Sequence, residues 1–195
     1  WKDGSGQIYH EVLPQELTGV ETPIVVLYGR DFPTGSHKVG ATYSVLIEKA
    51  ISGAVDPGRH TIVWPSTGNY GIGGAWVGCR MQFDTVVILP EEMSRERFEI
   101  VRGYGARLEL TPGCESNVKE IYDKCHALRQ AAPERIRVMN QFEEFANYRF
   151  HYYVTGNTII ELAKVLAAQG IGKGVVSAYV SAMGSSGTIA AGDRL

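Results

Sequence analysis

The chain has 195 residues, enough to bury an ordinary core in one or two small domains. Apolar residues make up 44%, charged residues 21%, and the net charge is −2, the composition of a soluble globular protein with no basic field for nucleic acid or an anionic membrane. No apolar run approaches a membrane span, and no stretch shows the basic-then-apolar pattern of a signal peptide. Cys79, Cys114 and Cys125 lack metal-ligand spacing and read as free thiols of a reducing compartment, the cytoplasm.

Residues 1–19 are mixed and turn-rich, with no clear period. The run Thr22-Pro23-Ile24-Val25-Val26-Leu27-Tyr28 reads as a buried strand, followed by the charged turn Gly29-Arg30-Asp31. Tyr43, Leu46, Ile47 and Ile51 recur at helical spacing and predict a helix over 39–52, with Gly53 as its stop. A short strand is expected at 60–64 and a glycine-rich helix at 71–81, the kind that packs tightly on a sheet or a cofactor. Thr85-Val86-Val87-Ile88-Leu89 is a continuous apolar run, typical of a parallel strand buried on both faces. Ser94 is placed to cap a helix that reaches Tyr104 and stops at Gly105. A strand follows at 107–110, a helix capped by Ser116 runs to about Arg129, and another strand covers 136–139. Asn157 is expected to open a helix to Gln169, and residues 175–180 to form the last strand. Strands alternating with helices at these lengths predict an α/β fold of mainly parallel twisted sheets with helices on both faces.

Three loops at predicted strand ends carry the chemistry. Pro33-Thr34-Gly35-Ser36-His37-Lys38 leads into a helix, so Lys38 stands at a helix start, where unpaired N–H groups attract anions. A partly desolvated lysine beside such dipoles loses its proton more readily and can attack a carbonyl. Taken alone, Lys38 would read as a solvated surface residue. Pro65-Ser66-Thr67-Gly68-Asn69 offers hydroxyls and an amide, and by itself is an ordinary turn. Gly184-Ser185-Ser186-Gly187-Thr188 offers hydroxyls and successive backbone N–H groups suited to a dianion. It is neither a P-loop, since no lysine follows, nor a dinucleotide-binding glycine pattern. The Glu91-Glu92 and Glu143-Glu144 pairs read as solvated faces, and the aromatic cluster around Tyr148, Phe150, Tyr152 and Tyr153 with His151 reads as packing or subunit contact.

Together with Ile88-Leu89-Pro90, Tyr104-Gly105-Ala106, Leu110-Thr111-Pro112-Gly113, Asn140-Gln141-Phe142 and Thr155-Gly156, these loops resemble the cysteine synthase and cystathionine β-synthase branch of the fold type II pyridoxal-phosphate enzymes, the group that includes tryptophan synthase β. The resemblance runs from about Thr22 to Leu195. It implies pyridoxal 5'-phosphate as cofactor, carried on Lys38, which also moves the substrate's α-proton. It implies that Asn69 faces the cofactor's ring oxygen and that Gly184, Ser185, Ser186, Gly187 and Thr188 hold its phosphate. Ser66, Thr67, Gly68, Asn69 and Gln141 would grip the substrate carboxylate. His37 is expected to pack rather than react. The family's usual phosphate loop is Gly-Thr-Gly-Gly-Thr, so the two serines here alter the donor set, and Tyr70, in place of a common threonine, is expected to narrow or reshape the substrate pocket.

The implied activity is β-replacement or β-elimination on an activated serine- or cysteine-type amino acid, in a cytoplasmic homodimer with a small amino-acid substrate. A serine/threonine dehydratase or threonine synthase type of lyase is the alternative on the same scaffold, and a non-catalytic structural homologue is the alternative of another class. The implied organisation places residues 1–52 at the start of the cofactor domain, 53–150 in a smaller mobile α/β subdomain, and 151–195 back in the cofactor domain. The family usually places a longer stretch between the Thr-Pro pair and the lysine turn, so either a hairpin is lost here or residues are missing between Thr22 and Arg30. It also implies further residues after Leu195, so the residues given are expected to be poorly soluble, or to bind cofactor weakly and turn over nothing, by themselves.

Overall fold

The computed structural model describes residues 1–29 and 31–195; the Arg30 position of the expected charged turn lies outside them. The chain divides into two compact units, one formed by Trp1–His37 with Tyr148–Leu195 and the other by Lys38–Asn147. These boundaries differ from the expected ones at 52 and 150. The first helix of the second unit, α2 below, packs on the next helix of that unit and so belongs with it.

The first unit begins with β1 (His10–Val12), the single turn α1 (Gln15–Thr18) and β2 (Val25–Leu27). β1 and β2 pair antiparallel, His10 opposite Leu27 and Val12 opposite Val25, as a two-stranded sheet. The buried strand expected over Thr22–Tyr28 is therefore three paired residues, with Ile24 and Val26 each 42% exposed. Among the described residues no third strand joins this ribbon, so its outward residues stay exposed.

The second unit holds α2 (Lys38–Ile51), β3 (Thr61–Pro65), α3 (Asn69–Arg80), β4 (Asp84–Pro90), α4 (Arg95–Gly103), β5 (Arg107–Thr111), α5 (Val118–Ala131) and β6 (Ile136–Val138). The four strands form a parallel sheet in the order β5-β4-β3-β6. Alternation along the strands divides the two faces. Val63, Val86 and Ile88 join Ile121 and Cys125 of α5 on one side, with Leu128, Ile136 and Val138 around them. Trp64, Thr85 and Val87 face α3 on the other. Both faces are covered, which is why β4 reads as an unbroken apolar run.

Glycine makes the α3 face possible. Gly71, Gly74 and Gly78 recur at helical spacing on one side of α3. A Cβ on Gly74 would overlap the Trp64 ring, and one on Gly71 would lie 2.8 Å from a Val87 methyl. A Cβ on Gly73 would lie 3.0 Å from the Val39 backbone, so the same helix also comes close to α2.

α6 (Phe145–Phe150) runs into a π-helical stretch, His151–Gly156, and on into α7 (Asn157–Ala168). Asn157 therefore continues a helix rather than opening one. Its amide donates to the Tyr153 carbonyl at 2.7 Å, and the Thr158 hydroxyl to the Val154 carbonyl at 2.8 Å, which satisfies carbonyls that the wider turn displaces. Ile8, Leu162 and Leu166 form the apolar cluster of this unit, with Val12, Leu27 and Ile171 against it. Residues 175–180 form no strand, and Val175 and Val180 are 71% and 91% exposed. A β-branched run becomes a strand only where a neighbour supplies a hydrogen-bond ladder, and none of the described strands pairs with it.

Candidate active site

Chain order along the parallel sheet reverses between β3 and β6, since β3, β4 and β5 build outward one way and β6 returns to the other side of β3. Open parallel sheets bind ligands at the carboxyl ends of strands flanking such a reversal. The loop leaving β3 is Ser66-Thr67-Gly68-Asn69, and the segment leaving β6 is Met139-Asn140-Gln141. Two expected site loops thus flank one switch point.

The β3 loop is held by Ser66, which is only 5% exposed. Its N–H donates to the Ile88 carbonyl at 3.2 Å, its Oγ accepts from the Gly68 N–H at 3.0 Å, and its hydroxyl reaches the Gly68 carbonyl at 3.2 Å. Ser66 is therefore committed to shaping the turn, while Thr67 is half-buried and Asn69, the first residue of α3, is exposed. From α4 the Arg97 guanidinium donates to the Thr67 carbonyl at 3.5 Å, a contact that no motif announces.

After β6, the Asn140 side chain accepts from the Phe142 N–H at 3.1 Å, and the Asn147 amide donates to the Gln141 carbonyl at 3.1 Å. These bonds fix the Gln141 backbone. Lys38, the first residue of α2, is half-buried, and its Nζ donates to Gln141 Oε1 at 3.4 Å. Burial lowers the Lys38 pKa from the ordinary lysine range.

Tyr70 does not line this region. It is 2% exposed, sits edge-on to Trp64 with ring centroids 5.5 Å apart, and has no hydrogen-bond partner for its hydroxyl among the described residues. Burial first, and Glu144 second, push its phenol pKa up. The Tyr70 side chain thus packs in the core between α3 and β3.

The glycine-serine loop belongs to the other unit. It precedes a short 3-10 helix, Ile189–Arg194, rather than an α-helix. Gly187 is buried, Ser185 half-buried and Ser186 exposed, with Ser186 in the left-handed region at φ 63°. The N–H groups of Ser186, Gly187 and Thr188 donate to no backbone carbonyl among the described residues. The Thr188 hydroxyl lies 3.1 Å from His37 Nε2 and 3.3 Å from His151 Nε2. Sequence reasoning missed this last grouping; the histidine four residues before Thr155-Gly156 was its only signal.

Within the second unit, Lys38 offers a partly dehydrated amine suited to a carbonyl compound, and Asn69 and Gln141 offer neutral amides. Within the first unit, the glycine-serine loop offers hydroxyls and backbone N–H groups suited to a phosphate.

Residues 20–192 match the family described as pyridoxal-phosphate dependent enzyme. Over 157 residues the chain is 34% identical to a probable cysteine synthase of Bacillus subtilis, covering 80% of this chain and 48% of that protein. Over 149 residues it is 30% identical to the cystathionine beta-synthase of Saccharomyces cerevisiae, covering 75% of this chain and 29% of that protein. The solved cysteine synthase of Entamoeba histolytica superposes with a TM-score of 0.81 at 26% identity, over 97% of this chain and 54% of that one. The chain spans about half the length of the cysteine synthases it matches. Because the family match takes in the lysine turn, the asparagine loop and the glycine-serine loop alike, this chain belongs to the pyridoxal-phosphate dependent enzymes and has their fold type II architecture.

Proposed function

We propose that the chain carries a cysteine synthase-like activity, β-replacement or β-elimination on an activated serine- or cysteine-type amino acid. The observation that supports it most is the half-buried Lys38 amine, 3.4 Å from Gln141 at the switch point between β3 and β6. The sequence likeness to cysteine synthases and to a cystathionine beta-synthase supports the same chemistry.

Bound pyridoxal phosphate would supply an electron sink for charge developing at the substrate's α-carbon. Lys38 would hold the cofactor and carry the α-proton on Nζ, and burial keeps a larger share of that amine neutral and able to accept it. Asn69 would donate its amide N–H to the cofactor's ring oxygen. Ser66 and Gly68 shape the turn from which Thr67 and Asn69 would reach the substrate carboxylate. Gln141, whose Oε1 already accepts from Lys38, would direct its amide N–H groups to the same carboxylate. Gly184, Ser185, Ser186, Gly187 and Thr188 would bind the phosphate.

The enzyme is further proposed to be a cytoplasmic homodimer in which residues 53–150 form the mobile part. Three unpaired cysteines support a reducing compartment, and no helix among the described residues is long and apolar enough to cross a membrane. The exposed Phe142 and Phe145 support a covered face.

The test is cysteine formation from O-acetylserine and sulfide by the natural protein reconstituted with pyridoxal phosphate, with sulfide release from cysteine measured in parallel. Turnover in either assay that falls in Thr67→Ala and Gln141→Ala, mainly through a raised KM, is expected. Absence of both activities, or KM values unmoved in both variants, would remove the proposed reaction or the proposed carboxylate grip.

A further inference from the structure

We propose that His37 and His151 are positioning residues for the glycine-serine loop, acting through the Thr188 hydroxyl that they share. This rests on the reading of that loop as the phosphate site.

The contacts form an unbroken series inside one unit. Trp1 Nε1–H donates to Thr155 Oγ1 at 2.9 Å, and Thr155 Oγ1 lies 3.0 Å from His151 Nδ1. The other nitrogen of His151 lies 3.3 Å from Thr188 Oγ1, which in turn lies 3.1 Å from His37 Nε2. Trp1 also stacks on His37, with ring centroids 5.7 Å apart. His151 is fully buried.

The backbone explains how these groups meet. His151 and Thr155 both lie on the π-helical stretch, a rare distortion that is frequent at functional sites. Gly156 ends it, and a Cβ there would lie 2.7 Å from the Arg194 side chain. The glycine therefore lets the turn after the loop settle against the helix that carries His151.

Proton counting gives the consequence. A threonine hydroxyl has one proton and two lone pairs. If His151 donates from Nε2, the Thr188 proton goes to His37. If His37 donates instead, the Thr188 proton goes to His151. If both donate, they fill the oxygen's two lone pairs and its proton is left for a third group; in every case the Thr188 oxygen is held between the two rings. The Tyr179 hydroxyl holds the Thr188 carbonyl at 3.0 Å as well. Thr188 is clamped at its side chain and its carbonyl, which fixes the direction of its own N–H. The loop then meets a phosphate with the Ser186 hydroxyl and the N–H groups of Ser186, Gly187 and Thr188. The Thr188 hydroxyl serves as an anchor of the loop.

The test compares pyridoxal 5'-phosphate with pyridoxal, which lacks the phosphate, by equilibrium dialysis against the full chain freed of cofactor. His37→Leu should weaken binding of the phosphorylated compound about tenfold, the scale of one committed hydrogen bond. It should leave pyridoxal unchanged, and His37→Gln, whose amide can still reach Thr188, should recover most of the loss. Thr188→Val should lose at least as much as His37→Leu, and the double variant no more than Thr188→Val alone, because both break one linkage. Equal weakening of both compounds, no weakening, or additive losses would overturn the positioning role alone. A wild-type chain that binds neither compound would overturn the cofactor reading and this inference with it.

Discussion

Lys38 is half-buried at the start of α2, and its position makes a titration prediction. Burial lowers its pKa, so the folded state carries the ammonium at a cost. That cost is present below the folded pKa and disappears as pH rises through the folded pKa toward the unfolded one. Lys38→Met should therefore raise the melting temperature of the cofactor-free chain at neutral pH, with the gain shrinking as the solution is made alkaline. A gain that stays constant with pH, or a loss at neutral pH, would show that the amine is not held at a desolvation cost. At this scale the sequence was legible where chemistry depends on residue type in a loop: an amine before a helix, a Ser-Thr-Gly-Asn turn, a glycine-serine turn. It was illegible where a residue's direction decides. Tyr70 follows Asn69 in sequence, yet the helix turns its phenol away into the core against Trp64.

At the scale of elements, the glycine face of α3 and the carboxylate at the head of β4 make the next two predictions. Gly74→Val places atoms inside the Trp64 ring, and relief requires α3 to move off the sheet. Overpacking of this kind costs about 1–3 kcal/mol, more than helix propensity returns. Urea unfolding should show that loss for Gly74→Val and little change for a substitution at the open Gly103. Asp84 accepts from the Thr61 hydroxyl at 2.7 Å, from Arg107 at 2.9 Å and from Arg135 at 3.1 Å, joining the starts of β3, β4 and β5 to the turn before β6. Burial pushes the Asp84 pKa up, but Thr61, Arg107 and Arg135 outweigh it and leave it lowered. Its contribution is thus full above the unfolded carboxylate pKa and lost as pH falls through the folded one. Asp84→Asn should cost about 1 kcal/mol at neutral pH after solvent screening, and nothing once the medium is acid enough to protonate the native aspartate. A cost independent of pH would mean that shape rather than charge is at work. The parallel strands and their helices were legible because burial on both faces writes continuous apolar runs and glycine spacing into the sequence. The exposed ribbon at β2 and the extended residues 175–180 were not, because Val-rich runs look alike whether or not a neighbouring strand pairs with them.

At the scale of the whole molecule, the chain matches a pyridoxal-phosphate dependent family from residue 20 to 192 and spans about half of the cysteine synthases it resembles. Its expected site residues are divided between two units: Lys38, the Ser66–Asn69 loop and Gln141 in one, the glycine-serine loop in the other. What unites them is a single claim, that Lys38 bears the cofactor. The direct measurement is borohydride reduction of the natural protein after incubation with pyridoxal phosphate, followed by peptide mapping. The proposed function predicts one modified lysine, Lys38, with loss of both the label and the visible absorbance in Lys38→Ala. Label on another lysine, or label that persists in Lys38→Ala, would contradict it.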